Sequence, residues 1–147
     1  MKDTLVVGSD HAGMTLRAVA IRVARDLGFE VQDLGPFSDE SVDYPDYAQH
    51  VGEAVASGRA RLGVLVCGTG IGMSIAANKV KGARAAHCTT EYDARMARAH
   101  NDANVLCIGE RVLGPGLGGA VVVAFLTQAF EGGRHQRRVD KIGALER

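Results

Sequence analysis

Short apolar runs rich in β-branched residues alternate along the chain with segments in which apolar residues recur every three or four positions. This alternation predicts strands joined by crossover helices, and therefore a parallel sheet. Five runs have the length of strands: TLVVG, EVQDLG, LGVLVCG, ARAAHC and NVLCIGE, which begin at residues 4, 30, 62, 83 and 104. The pattern predicts an α/β protein with five parallel strands.

The intervening segments have the period of amphipathic helices. Apolar residues recur between residues 16 and 27, and Gly28 follows them, as is usual after a helix C-terminus. Further helices are predicted over about 45–57, 71–79 and 91–100, and a last helix from about residue 135. The segment 118–130, GGAVVVAFLTQAF, is apolar on nearly every side. We therefore expect it to pack against a partner subunit as well as against its own sheet.

Size and charge limit the possible functions. The 147 residues fit one domain, 1–147, with no linker or internal repeat. Seventeen basic residues balance seventeen acidic ones, so no overall field attracts nucleic acid or an anionic membrane. The apolar stretch near the N-terminus is too short for a signal peptide or a membrane span. We expect a cytoplasmic protein.

The three cysteines have no CxxC spacing, so they predict neither a disulfide framework nor a zinc site. Cys107 lies within an apolar run and is expected in the core, and Cys88 adjoins a polar turn. Cys67 differs from both because it ends a strand immediately before a glycine-rich stretch. The alternative is that Cys67 is also an ordinary buried thiol.

The stretch CGTGIGMS, residues 67–74, carries the strongest chemical signal. Its alternate glycines allow backbone N–H groups to approach a ligand, and the helix that follows adds its positive end. Dinucleotide binding requires GxGxxG in the first strand–helix unit, whereas this stretch reads GxGxG in the third. The stretch therefore predicts an anion site beside a cysteine placed where the thiolate is favoured.

Polar residues also follow the first strand and precede the second helix. Asp10 and His11 come directly after the first strand, where capping by Ser9 or Asp10 explains the aspartate but not the histidine. Tyr44 comes just before Pro45, at the start of the second helix. Ligands of open parallel sheets bind beyond the carboxyl ends of the strands, so these residues are candidates for the same site.

The second half of the chain adds two polar clusters. His100 and Asn101 end the fourth helical segment, where a histidine also interacts favourably with the helix C-terminus. Arg134 and Arg138 are four residues apart and share a face of the last helix. A solvated basic face would explain the two arginines, and phosphate binding by guanidinium groups is the functional alternative.

Five motifs occur in order: GSDHAG, DYPDYA, CGTGIGMSIAANK, HNDANVL and EGGRHQRRV. Together they resemble the family of type B ribose-5-phosphate isomerases, which also contains the galactose-6-phosphate isomerase subunits. The resemblance implies a three-layer α/β/α sandwich around a five-stranded parallel, Rossmann-like sheet, and a homodimer that pairs in some members into a homotetramer. It implies interconversion of ribose 5-phosphate and ribulose 5-phosphate through an enediolate in the pentose phosphate pathway, with no cofactor and no metal.

The resemblance also implies roles for single residues. Cys67 would be the base at the sugar carbon, and Thr69 would help move protons between the adjacent oxygens. His100 would open the furanose ring, with Asp10 and Tyr44 assisting or positioning the sugar. The enediolate would be stabilised by Gly68, Gly70, Ile71, Gly72 and Asn101, and the phosphate would be held by His11, Arg111, Arg134 and Arg138. In the family, His100 and Asn101 serve the active site of the partner subunit.

Two other functions fit the same residues. One is the isomerisation of a six-carbon aldose phosphate, such as allose or galactose 6-phosphate, which would need the same base and anion site but a different pocket wall. The other is a sensor that binds a sugar phosphate without turnover. The simultaneous presence of Cys67, Thr69 and His100 favours an enzyme over a sensor.

Overall fold

Five strands form one parallel sheet. In the computed structural model, which describes residues 2–146, they are β1 (Thr4–Ser9), β2 (Glu30–Asp33), β3 (Leu62–Cys67), β4 (Ala85–His87) and β5 (Val105–Gly109). Their order in the sheet is β2-β1-β3-β5-β4. The strand order changes direction between β1 and β3, and ligands of open parallel sheets bind at such a point. The insertion of β5 between β3 and β4 adds a crossover that the sequence pattern did not predict.

The described part of the chain has six helices, of which the first four connect successive strands and the last two follow β5. They are α1 (Met14–Asp26), α2 (Tyr44–Ala56), α3 (Ile71–Ala77), α4 (Glu91–Asn101), α5 (Glu110–Thr127) and α6 (Arg134–Gly143), and a 3-10 turn, His11–Gly13, precedes α1. Most boundaries lie within two residues of the prediction. Gly28 follows α1 with a φ of 94°, a conformation that favours glycine, so its predicted role at the end of this helix is confirmed.

The helices cover both faces of the sheet. In β1, Leu5 and Val7 pack with α1, α4 and α5, whereas Val6 packs on the other face with α2 and α3. Both sets of side chains are fully buried. Strands buried on both faces read as continuous apolar runs, which explains why the strands were visible in the sequence. The predicted three-layer α/β/α sandwich is confirmed.

The apolar helix near the C-terminus differs most from its prediction. A helix was expected within 118–130, but α5 starts eight residues earlier and ends at Thr127. A kink at Gly114, where φ is 68° and ψ is 176°, precedes Pro115 and interrupts the helical period, so the sequence pattern does not predict the first turn. Length and composition alone would allow α5 to cross a membrane. It packs against α1, α4 and β5, and 39% of the span is buried.

A buried arginine attaches the segment after β2 to the rest of the fold. Arg17 of α1 donates hydrogen bonds to Ser9 Oγ and to the carbonyl oxygen of Pro36, each at 2.6 Å. It also forms an ion pair with Asp33, 3.2 Å between Nε and Oδ1. These partners satisfy a charge that would be costly to bury alone. The interaction holds the loop after β2 against the carboxyl end of β1.

Candidate functional site

Most of the predicted site residues lie at the carboxyl edge of the sheet. Cys67 is the last residue of β3 and pairs with Gly109 at the end of β5. Asp10 follows β1, and its backbone N–H donates to the Val66 carbonyl oxygen at 3.1 Å. We call the residues at this edge the carboxyl-edge cluster. Its predicted members are Asp10, His11, Tyr44, Cys67, Gly68, Thr69, Gly70, Ile71, Gly72 and Arg111.

The glycine-rich loop holds the sulfur of Cys67. The Cys67 residue is 5% exposed, and its Sγ accepts a hydrogen bond from the Gly70 N–H at 3.1 Å. Gly70 has a φ of 85°, and a Cβ at this position would lie 2.9 Å from the carbonyl carbon of Ile108. Only glycine fits both the conformation and the space. The sulfur of Cys67 therefore lies next to a fixed hydrogen-bond donor.

The other two cysteines provide a contrast. Burial raises the pKa of Cys107 well above its ordinary value, and the nearby Cys67 and Cys88 raise it further. Burial, and secondarily the Asp93 carboxylate, raises the pKa of Cys88 to about 12. Both side chains are therefore neutral thiols near pH 7. The prediction that Cys107 belongs to the core is confirmed, since the residue has no exposed surface.

Thr69 is fixed at both its side chain and its carbonyl group. Its Oγ1 accepts a hydrogen bond from the Ile71 N–H at 3.2 Å, and its carbonyl oxygen lies 2.8 Å from His87 Nε2. His87 was not predicted as a site residue. The sequence placed it at a strand end, but its approach to Thr69 depends on β5 lying between β3 and β4.

Asp10 and His11 are both held by neighbouring backbone groups. Asp10 Oδ1 accepts a hydrogen bond from the Ala12 N–H at 2.9 Å, so the predicted capping role exists in the structure. The Val42 N–H donates to His11 Nδ1 at 3.1 Å. Because Nδ1 accepts, the proton of the neutral imidazole is on Nε2, which is left as a donor.

Tyr44 and Arg111 pack against glycines of the glycine-rich loop, where no side chain is in the way. A Cβ on Gly72 would lie 2.6 Å from Tyr44 Cζ, so the phenol ring occupies the space that a side chain would need. The Arg111 N–H donates to the Gly68 carbonyl oxygen at 3.1 Å, and its guanidinium group lies over the Gly68 backbone. The glycines thus bring a hydroxyl group and a cation to the loop that follows Cys67.

The remaining predicted residues lie at the opposite edge of the sheet. His100 and Asn101 end α4 just before the start of β5, where the Asn104 N–H donates to the Arg84 carbonyl oxygen ahead of β4. Four strand steps separate the start of β5 from its end beside Cys67, a distance of about 13 Å. We call His100, Asn101, Arg134 and Arg138 the amino-edge cluster. The fold does not bring it into contact with Cys67 of the same chain.

The arginines of the amino-edge cluster are exposed and follow a glycine turn. The Glu131 N–H donates to the Ala99 carbonyl oxygen, which places the start of α6 beside the end of α4. Gly132 and Gly133 both have positive φ values, 68° and 56°, and turn the chain into α6. Among residues 2–146, neither the Arg134 nor the Arg138 side chain forms an ion pair or a hydrogen bond.

His100 stacks on a second histidine that was not predicted as a site residue. The His100 and His135 rings are 4.1 Å apart and differ by 9° in orientation, and Glu131 Oε1 lies 3.7 Å from His100 Nε2 and 3.6 Å from His135 Nε2. Burial lowers the pKa of His135, and the His100 and Arg134 charges lower it further. These three side chains could approach a metal ion, but parallel rings direct their lone pairs side by side rather than to one point.

A broad groove of about 800 Å³ lies beside the amino-edge cluster. Its cationic lining comes from Lys79, Lys81 and Arg84, and its apolar lining includes Ile142 of α6. Asn101 is the one predicted site residue in its lining. Because the groove does not include Cys67, size alone does not identify the reactive edge of the sheet.

A sulfur held by a glycine loop at the carboxyl edge of a parallel sheet, with a tyrosine and an arginine packed on the same loop, fits a class of small-molecule enzyme that moves protons on an anionic substrate. A model of the Ribose/Galactose Isomerase family matches residues 5–142. The chain belongs to this family.

Individual relatives agree with this assignment over nearly the whole chain. Ribose-5-phosphate isomerase B of Escherichia coli is 47% identical over 142 residues, which cover 97% of this chain and 95% of that protein. The structure of the type B ribose 5-phosphate isomerase of Trypanosoma brucei matches with a TM-score of 0.96 at 49% identity, covering 99% of this chain and 100% of that one. The Mycoplasma genitalium ribose-5-phosphate isomerase B, solved with bound ribulose-5-phosphate, matches with a TM-score of 0.93 at 43% identity and covers 98% and 96% of the two chains.

Proposed function

We propose that the protein is an aldose–ketose isomerase that interconverts D-ribose 5-phosphate and D-ribulose 5-phosphate in the pentose phosphate pathway, in the cytoplasm. The observation that carries the proposal is the hydrogen bond from the Gly70 N–H to the sulfur of Cys67 at the carboxyl edge of the sheet. Family membership and full-length relatives named as ribose-5-phosphate isomerases support the choice of substrate.

Cys67 is the base in this proposal. Its thiolate removes the proton from C2 of the open-chain aldose and returns it to C1, and the electron pair moves through an enediolate. Thr69 helps transfer the hydroxyl proton from O2 to O1, so the overall reaction only relocates protons. Backbone N–H groups of Gly68, Gly70, Ile71 and Gly72 are the candidates to stabilise the charged oxygens. Without substrate, the Gly70 N–H donates to Cys67 Sγ and the Ile71 N–H to Thr69 Oγ1, so these two would have to be shared with the substrate. Donors fixed before the reaction stabilise such charge without reorganisation.

The nonreacting end of the sugar needs a separate anchor. The guanidinium group of Arg111 lies beside Gly68, and His11 follows β1 at the same edge of the sheet; both side chains suit a phosphate group. Arg134 and Arg138 add exposed forks that can bind phosphate oxygens in pairs. Binding energy from the phosphate would hold C1 and C2 at Cys67, which is an efficient use of remote contacts.

Ring opening requires an acid and a base near neutrality, and His100 is the candidate, with Asp10 and Tyr44 positioning the sugar. In one chain His100 lies at the opposite edge of the sheet from Cys67. We therefore propose a homodimer, which can pair into a homotetramer, in which the carboxyl-edge cluster of one subunit meets His100, Asn101, Arg134 and Arg138 of the other. Ile71 and Ile75, 51% and 59% exposed and one turn apart on α3, form an apolar ridge beside Cys67 that such a partner could cover.

The primary test is ketose formation from ribose 5-phosphate by the wild-type protein and by Cys67→Ser. We expect turnover by the wild type without added metal and in the presence of a chelator. The variant should lose at least about 10³-fold, because a serine hydroxyl is a much weaker acid than a thiol and supplies no anionic base near neutral pH. Cys88→Ser is the matched control, because the Cys88 side chain packs on the other face of the sheet. Near-normal turnover by Cys67→Ser would refute the assigned base, and faster turnover of allose or galactose 6-phosphate would reassign the substrate.

A complementation experiment tests the shared site. His100→Ala and Cys67→Ser subunits are each expected to be inactive, and a mixed dimer of the two retains one intact site. Activity that appears only after subunit exchange supports the proposal. Mass spectrometry verifies that the subunits have exchanged. If activity does not recover after verified exchange, each site is built from one chain.

A further inference from the structure

His87 is an unassigned histidine that touches the glycine-rich loop. It is the last residue of β4, and its Nε2 lies 2.8 Å from the carbonyl oxygen of Thr69. The same ring packs on Gly70, since a Cβ built on Gly70 would lie 2.9 Å from His87 Cδ2. A carbonyl oxygen can only accept, so Nε2 carries the proton and donates.

The Thr69 carbonyl and the Gly70 N–H belong to one peptide unit. That peptide is rigid and planar, and its two polar groups point in opposite directions. His87 holds the carbonyl end, and the Gly70 N–H at the other end donates to Cys67 Sγ at 3.1 Å. Rotation of this peptide about the chain would break both hydrogen bonds together.

The contact has little value as packing. His87 is exposed at the end of a three-residue edge strand, so its removal opens no cavity in the core. Gly70, in contrast, adopts a φ of 85° before a short helix, and glycine tolerates the change of φ that a rotation of its peptide requires. A hydrogen bond to the carbonyl oxygen also polarises the peptide and strengthens its N–H as a donor.

We propose that His87 is a positioning residue that fixes the Thr69–Gly70 peptide, so that the Gly70 N–H remains on the sulfur of Cys67. The inference rests on the proposed function only in taking Cys67 as the reactive group. His87 does not touch substrate in this proposal, and it acts through the backbone of the loop.

The test compares His87→Gln with His87→Asn. The amide of glutamine reaches about as far as histidine Nε2 and can donate to the Thr69 carbonyl oxygen, whereas the shorter asparagine cannot. Both are neutral and polar, and both replace an exposed residue. His87→Leu removes the donor altogether, and His50→Leu, an exposed histidine on α2, is the control for loss of a surface imidazole.

The first measurement is the rate at which iodoacetamide alkylates Cys67 in the absence of substrate, resolved from the other cysteines by peptide mass spectrometry, between pH 6 and 10. At pH 7 we expect Cys67 to be alkylated about tenfold more slowly in the Asn and Leu variants. This is the low end of the effect measured when a residue that orients a functional side chain is replaced. The Gln and His50→Leu variants should alkylate at nearly the wild-type rate. Asp10 and Arg111, which hydrogen-bond to the residues on either side of Cys67, and Cys107, whose thiol interacts with that of Cys67, are unchanged in every variant, as are His11 and Tyr44.

The second measurement is isomerase activity. We expect kcat to fall about tenfold in the Asn and Leu variants with KM nearly unchanged, because the phosphate contacts remain. Unaltered alkylation in both variants would overturn the proposal, as would equal losses in Gln and Asn. Alkylation is measured without turnover, so a protein that lacks isomerase activity but shows the Gln–Asn difference would refute the proposed function and retain the role of His87.

Discussion

Replacing Gly109 with alanine tests whether the backbone of the reactive loop must lie where it does. Gly109 ends β5 with φ −112° and ψ 121°, a conformation open to any residue, so alanine adds no backbone strain. A Cβ at this position would lie 2.5 Å from the Thr69 carbonyl oxygen and 2.6 Å from Thr69 Cα. Both contacts are with backbone atoms, which cannot rotate away as a flexible side chain would.

The expected size of the effect follows from these distances. Nonbonded carbon atoms prefer about 3.5 Å or more, so the Thr69 backbone must move by about 1 Å. A displacement of that size at reacting groups costs about 10²-fold in rate. Overpacking should also lower the free energy of unfolding by about 1–3 kcal/mol, which corresponds to about 2–4 °C in Tm per kcal/mol for a domain of this size.

The assay is kcat/KM for ribose 5-phosphate together with a thermal melt. Gly116→Ala is the matched control, because a Cβ there meets nothing within 4 Å and the position lies in α5. We expect the control to keep full activity and to be slightly stabilised, by up to about 1 kcal/mol. A folded Gly109→Ala protein with wild-type kcat/KM would refute the reasoning, since the Thr69 backbone could then move without consequence.

Three further predictions follow from other parts of the structure. Iodoacetamide at pH 8 should label Cys67 in the native protein and leave Cys88 and Cys107 unlabelled, because burial raises the pKa of both; labelling of all three at equal rates would contradict the contrast. Arg17→Met should lower the free energy of unfolding in urea by about 3 kcal/mol, since it leaves Asp33 and Ser9 without their buried partner, whereas exposed Arg25→Met should change it by less than about 0.5 kcal/mol. Burial and the His100 and Arg134 charges lower the pKa of His135. The unfolded chain therefore binds a proton at this residue more readily, and the stabilisation from neutral His135 is present above about pH 6.5 and is lost as the pH falls below that value. His135→Leu should therefore lose less unfolding free energy between pH 7 and 5 than the wild type, and equal losses would show that His135 does not titrate as described.

The class of fold and the carboxyl-edge cluster could be predicted from the sequence because both depend on local patterns. Strands buried on both faces produce apolar runs, and a glycine loop after a strand has its own spacing. The position of Cys67 at a strand end followed from those two facts. The end of α1 at Gly28 and the start of α2 near Pro45 were predictable for the same reason, since the residues that start and end a helix lie within a few positions of its ends.

What the sequence could not provide was the arrangement of distant segments. His87 lies near Thr69 only because β5 is inserted between β3 and β4, and strand order is set by packing across the whole sheet. The start of α5 was missed because Gly114 and Pro115 interrupt the helical period. The stacking of His135 on His100 likewise depends on where α6 meets α4, which no spacing within one helix encodes.

The separation of the two polar clusters by the length of a strand has a consequence for how the protein behaves on dilution. If each site needs both clusters, a lone subunit holds a sulfur without its ring-opening partner and is inert. Specific activity would then depend on protein concentration and fall away below the dissociation constant of the dimer. Newly synthesised chains would then become active only after they dimerise, so the rate of dimer formation would control the appearance of activity.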